Sequence, residues 1–457
     1  MHSVSRVPIH EDMYGKKGFF SVIMRCSRPL ATLFLAVMAV SSCVGCSVLS
    51  HEAIVDALWD GKLKPILLAR YPRARQEELK QAHGYAYGGA IIQDLGYYPH
   101  GNKKFSDLTH YVRTGDFILA LVSESQDLNE LAFALGSLSH YVSDVEVHRF
   151  ATNPGEPMLY PKLERKFGPV ITYEQDPAAH LKTEFAFDVL EVAKGRFAPE
   201  AYHDFIGFYV AQPVLGRAFK DTYGLELSDL FLDFDRTVGS YRRAVSKTIP
   251  KATRIAWAQK KDDIQKSEPG VTRNRFVYVM KGSSYDHDWG RQYDRPSPGE
   301  RVLAVLLKVI PPIGPLRALK LKMPTPPVEK LFMQSFDRAA AQYRGKLAES
   351  TNNELHLENT NYDLGQVTGP GIYRLQDETY AYWLGDVAKK NFSTVTPDIK
   401  KDLLNYYHDP NAPIATKRHP KDWSQLLAQL ASLKASSVPS LRAQGSATNL
   451  VSGLPLR

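Results

Sequence analysis

The chain has 457 residues and a formal net charge of +8, with 44% hydrophobic and 23% charged residues. Those proportions fit a folded globular protein and exclude a disordered one, and the length calls for one large unit with appendages or for two domains. Five basic and two acidic residues fall within residues 1–45, so the rest is only mildly basic and makes no case for a nucleic-acid partner.

Residues 1–45 read as an export leader. Arg25 and Arg28 precede the apolar run 29–40, small residues follow, and Met24 is an alternative start. Twelve apolar residues are too few to span a bilayer comfortably. Cys26, Cys43 and Cys46 are the only cysteines, so no disulfide framework holds the body. Cys43 and Cys46 each sit in a lipoprotein-like cleavage context, which leaves lipid anchoring, plain cleavage to a periplasmic or secreted form, and an uncleaved anchor as alternatives.

From Ser50 the pattern is helical. Ser50 is read as the cap of a helix beginning HEAIVDALW, and helical periodicity continues over 77–95. The loop GYYPHGNKKFSD leads into a short helix carrying His110, followed by helices at 114–123 and 127–150. NPGEPMLYPK reads as a Pro/Gly-rich break, after which Asp176-Pro177 starts another helix, aspartate as cap and proline in the first turn. Residues 200–256 look helical and 259–298 look like a loop. RVLAVLLKVIPPIGPLRALKLK is either an interfacial segment, its aliphatic residues joined by Lys308, Arg317, Lys320 and Lys322, or a buried hairpin bent at Pro311-Pro312. Helices are expected near 328–349, 377–390 and 397–407, with turns over 359–371. The expected fold is all-α: a leader (1–45), a main helical body (46–350), a helical C-terminal extension (351–431) and a flexible tail (432–457).

Histidine is scarce, yet seven of the 14 fall between His51 and His180. HYVSDVEVH places His140, Asp144 and His148 at successive i+4 positions, and HLKTE does the same for His180 and Glu184, spacings that let neighbours share a metal ion. On the 127–150 helix the apolar stripe runs through Leu131, Leu135, Leu138, Val142 and Val145, and the His/Asp triplet lies opposite. That opposite side has no Lys or Arg but does have Phe133, Gly136 and Ser137, so it is expected to be buried or to line a cleft. With His51, Asp94 and His110 the candidates number more than a single ion needs, which points to a multinuclear zinc centre. Clustered zinc ions suit phosphate-ester hydrolysis.

SLSHYVSDVEVH, DLTHY, HLKTE and the early SVLSH resemble the zinc-dependent phospholipase C family, which is related to the fungal zinc-dependent single-strand nucleases; the likeness is clearest over residues 46–190. The resemblance implies a multi-helix zinc-cluster fold with two to three Zn2+ per chain. It implies that His110, His140 and Asp144 hold one zinc, with Asp144 bridging to a second that also takes His51 and the main chain of Cys46, and that Asp94 is a further ligand. His148, His180 and Glu184 would hold a third, and Asp94 would double as general base. Ending the last pair in glutamate resembles the phospholipases more than the nucleases. This chain departs from the family in placing His148 four rather than six residues after the bridging aspartate, in having Cys46 where tryptophan is typical, and in its greater length.

The implied activity is release of a phosphorylated headgroup from a phospholipid at a membrane surface, with no protein partner indicated. A nucleic-acid or small phosphodiester substrate, and a non-catalytic envelope protein stabilised by zinc, are the alternatives. Tyr97-Tyr98 could present aromatic faces to a choline-like cation or simply pack. Asp286-His287-Asp288 reads as an exposed polar loop, and His83 and His100 match no family ligand.

Overall fold

The computed structural model describes residues 47–194, 208–245, 265 and 322–437, all within one compact unit. The leader with Cys26, Cys43 and Cys46, the Asp286-His287-Asp288 loop, residues 301–321 and the tail beyond 437 lie outside the described residues.

Among the described residues the fold is all-α apart from a two-residue antiparallel pair, β1 (Thr360–Asn361) with β2 (Gln366–Val367). The first helix, α1 (Val48–Leu58), begins two residues before the expected cap. Ser50 is not its cap. The buried carboxylate of Asp188 takes that role instead, accepting the Leu49 and Ser50 N–H groups at 2.9 Å together with the hydroxyls of Ser47 and Ser50. A cap supplied from 138 residues away leaves no local signal in the sequence.

Beyond a π turn (Trp59–Leu63) come α2 (Lys64–Arg70), α3 (Gln76–Ile91), a 3-10 turn (Ile92–Tyr97), α4 (Lys103–Tyr111), α5 (Thr114–Ser123) and α6 (Leu128–Val147). Asp127 caps α6 by accepting from Asn129 and Glu130 N–H, worth about 1 kcal/mol. Both sides of α6 are covered: Leu135, Leu138, Phe133, Ser137, His140 and Asp144 are all buried. The crossing of α3 and α6 is close because glycines form it. A Cβ on Gly136 would lie 1.9 Å from Ala86 O, and one on Gly89 1.9 Å from Phe133 O. Gly136→Ala should therefore push the helices apart and cost on the order of 3 kcal/mol, read as a lower urea midpoint. An unchanged midpoint would show that the crossing can slide to make room.

NPGEPMLYPK is helical rather than a break. A π turn (His148–Thr152) runs into α7 (Asn153–Leu159) and α8 (Pro161–Phe167). Pro157 cannot donate to the carbonyl one turn back, but Ile171 N–H reaches that Asn153 oxygen at 3.0 Å, and Pro161 sits in a first turn where its missing donor costs nothing. Helix α9 (Pro177–Lys194) starts as expected, with Asp176 accepting from Ala179 N–H at 2.9 Å. Then follow α10 (Gln212–Tyr223), α11 (Leu227–Leu230) and α12 (Phe234–Arg243).

The C-terminal helices are α13 (Pro326–Thr351), α14 (Arg374–Lys389), α15 (Pro397–Tyr406) and α16 (Pro420–Ala435), the last running four residues into the stretch read as tail. They pack into the core of the earlier ones. Tyr343 of α13 donates to Leu135 O at 2.8 Å, and the fully buried Trp383 of α14 donates its indole N–H to Tyr223 O at 2.8 Å, so each aromatic is buried with its polar atom satisfied. No helix of the described residues is long and apolar enough to cross a membrane.

Candidate metal centre

Six elements converge on one small opening. His51 comes from α1, Asp94 from the 3-10 turn, His110 from the end of α4, and His140 and Asp144 from α6. His148 opens the π turn, and His180 with Glu184 comes from the first turns of α9. All eight are buried. The side chains that sequence spacing singled out, Cys46 apart, therefore lie together.

Asp144 is the hub. Its Oδ1 lies 3.3 Å from His51 Nε2 and 3.6 Å from His148 Nε2, and its Oδ2 lies 3.1 Å from His140 Nε2 and 3.4 Å from His110 Nε2. Asp94 Oδ1 is 3.4 Å from His110 Nε2. To one side, Glu184 Oε1 sits 2.8 Å from His148 Nε2 and 3.2 Å from His180 Nε2. Three groups bring their ligand atoms within 4.8 Å of one another: His110, His140 and Asp144; His148, His180 and Glu184; and His51, Asp94 and His140. The first two correspond to groupings implied by the resemblance. The third differs in bringing His51 to Asp94 and His140, although Asp144 remains within 3.3 Å of His51. The four-residue spacing from Asp144 to His148 still delivers His148 to Glu184, at the residue where the chain passes from α to π geometry.

The second ring nitrogens of His110, His140, His148 and His180 lie beside acceptors. His110 Nδ1 pairs with Ser106 O at 2.7 Å and His140 Nδ1 with Ala90 O at 2.8 Å, which leaves each Nε2 lone pair turned inward. Glu156 Oε1 lies 3.0 Å from His180 Nδ1 and Asp363 Oδ1 lies 3.2 Å from His148 Nδ1. Neither carboxylate, nor the flanking Tyr362 and Tyr373, carries metal-type spacing in the sequence, so motif reasoning passed over them. Tyr97, Tyr111, Tyr173 and Leu181 complete the lining. Tyr98 does not join it; buried, it stacks on Tyr241 with centroids 3.8 Å apart. His83 is 2.9 Å from Asp56 and stacks on Trp59, and His100 is exposed with φ 65°.

The electrostatics are those of a hole shaped for cations. Burial works against charge throughout, yet Asp144 and Asp94 raise His110 to about 9, Glu184 and Glu156 raise His180 to about 10, and Asp144 and Asp363 raise His148. Burial likewise opposes ionisation of Glu184, but His180 and His148 draw it down to about 2. Without an ion, protons on these rings balance the carboxylates, so binding a metal would displace them. Burial and His140 lower His51 to about 4, keeping it a neutral donor. His140 Nε2, turned toward Asp144, is buried with no hydrogen-bond partner, as expected for a lone pair that awaits a cation. Imidazole and carboxylate donors at this spacing fit zinc.

Residues 50–232 match the model of the zinc dependent phospholipase C family. No curated protein and no solved structure matches the chain. All eight side chains of the centre fall inside the segment matched to the zinc-dependent phospholipase C family, whereas Cys46 and Asp363 lie outside it. The family match and the three ligand groups together support a zinc-dependent hydrolase.

Proposed function

We propose that the chain is an exported phosphodiesterase of phospholipase C type that takes two to three zinc ions and releases a phosphorylated headgroup from a glycerophospholipid at a membrane surface. Cys43 or Cys46 would carry any lipid anchor. The observation that carries the reading is the convergence of four histidine Nε2 atoms on Asp144, flanked by the His148, His180 and Glu184 group, within the matched segment.

Zinc held there supplies Lewis acidity toward phosphoryl oxygen and lowers the pKa of water. The chain's own contribution is to hold, orient and move protons. The main-chain acceptors on His110 and His140 fix their ring orientation. Asp94, buried at the wall of the opening beside Tyr97, is the group placed to accept a proton from the attacking water. Tyr97 and Tyr173, with centroids 5.6 Å apart, offer aromatic faces at the same opening for a cationic headgroup.

Asp94→Asn keeps an oxygen that can ligate but removes the base. It should lower turnover of phosphatidylcholine about 10²–10⁴-fold with zinc content preserved. Phosphatidylcholine and single-stranded DNA, compared at matched protein, separate the lipid reading from the nuclease one. A zinc-replete protein with no turnover on either substrate would leave zinc a purely structural role and overturn the proposal.

A further inference from the structure

Helix α6 and the π turn place His148 at the edge of the centre, but among the described residues of 50–232 no acceptor serves its second ring nitrogen. Asp363 does, from the turn between β1 and β2, 131 residues beyond the end of the family match. Asp363 is 2% exposed, and the turn is fixed from several sides. Tyr362 N–H donates to His110 O at 3.1 Å, Asn153 Nδ2 donates to Asp363 O at 2.7 Å, and Gly365, at φ 61°, returns its N–H to Asn361 O at 2.8 Å.

The carboxylate itself is divided in purpose. Oδ2 accepts from the hydroxyls of Tyr111 and Tyr373. Oδ1 lies 3.2 Å from His148 Nδ1, within ion-pair reach, and that buried nitrogen has no hydrogen-bond partner among the described residues. A carboxylate behind a ligating imidazole keeps the proton on the nitrogen it faces, leaves the opposite lone pair free and makes that lone pair more basic. The opposite nitrogen here is the one 2.8 Å from Glu184 Oε1. Glu156 stands in the same relation to His180 from within the matched segment.

We propose that Asp363 is a positioning residue for the His148, His180 and Glu184 zinc, so that the C-terminal extension completes a centre whose ligands all belong to the family segment. The inference rests on the zinc-centre reading above. It assigns to residues 360–373 a role in metal retention as well as in packing.

The test uses the full chain loaded with zinc and dialysed against chelators of graded strength, with zinc per chain counted by plasma mass spectrometry. Asp363→Asn preserves size and the main-chain bond to Asn153. It should release one zinc at about 10- to 100-fold lower chelator strength, with the remaining zinc and the melting temperature at saturating zinc unchanged. Tyr111→Phe removes a single hydroxyl from the carboxylate and should weaken the same zinc about threefold, on the order of one lost hydrogen bond; it stands in if the Asn variant does not fold. His148→Ala is the control and should lose one zinc outright. If that control loses a zinc while both other variants retain theirs like the parent chain, the inference falls and the zinc centre stands. If the parent chain retains no more zinc than His148→Ala, the three-group reading falls and the inference with it.

Discussion

Asp144→Ala should empty the centre. Both oxygens of this carboxylate are engaged, lying between 3.1 and 3.6 Å from four histidines, and at 3% exposure no solvent can take its place. Removing one member of a buried, charge-paired set costs about 3–5 kcal/mol. That cost falls on the stability of the metal-free chain; separately, losing a ligand shared between ions should lower kcat/KM on the order of 10³-fold, equivalent to about 4 kcal/mol of transition-state stabilisation. Zinc content should fall by more than one ion, because Asp144 borders two of the three ligand groups. Near-parental zinc and turnover in this variant would sink the reading of Asp144 as a bridge.

Asp188→Ala, a change in α9, should strip the first helix of its cap and strongly destabilise the fold. Four donors converge on this carboxylate, two of them main-chain N–H groups in the first turn of α1. Leaving buried donors unsatisfied costs about 1–3 kcal/mol each, so a loss on the order of 4 kcal/mol in urea unfolding is expected after relaxation. His51 follows Ser50 directly, so zinc retention should fall as well.

The pH dependence has a definite sign. Burial pushes Asp188 up to about 7 in spite of the donors around it, against about 3.9 in an unfolded chain. Between those values the folded state holds the proton more tightly, so this residue's contribution to stability is greatest at acid pH and declines as pH rises toward 7. The penalty of Asp188→Ala, measured at saturating zinc, should therefore be larger near pH 5 than near pH 8. A penalty that stayed flat between pH 5 and pH 8 would mean that Asp188 is ionised throughout and held down by its donors.

How much was legible depended on how local the cause was. Asp176-Pro177, the Asp127 cap and the 114–123 helix are decided by neighbours a few residues away, and each appears where periodicity and capping place it. Ser50 was misread because the group that caps α1 comes from α9. NPGEPMLYPK was misread because Ile171, far along the chain, satisfies the carbonyl that Pro157 leaves free. The same division runs through the centre. The i+4 spacings brought His140, Asp144, His148, His180 and Glu184 into view, and the family likeness added His51, Asp94 and His110. Glu156 and Asp363 act through an imidazole's far nitrogen, and no spacing rule connects a carboxylate to a histidine that distant in sequence.

The separation between Tyr111 and Asp363, 252 positions, also bears on the order of assembly. A ribosome delivers every ligand side chain of the centre well before the turn that closes over it. Closing so long a loop carries an entropic cost that only the finished packing repays, so that turn belongs to the late steps of folding. In the interval the histidines are joined but uncovered. An ion arriving then would meet a partly open cup, whereas one arriving afterwards must enter past Tyr97 and Tyr173. Zinc supplied during refolding should thus be taken up faster than zinc offered to the folded, metal-free chain.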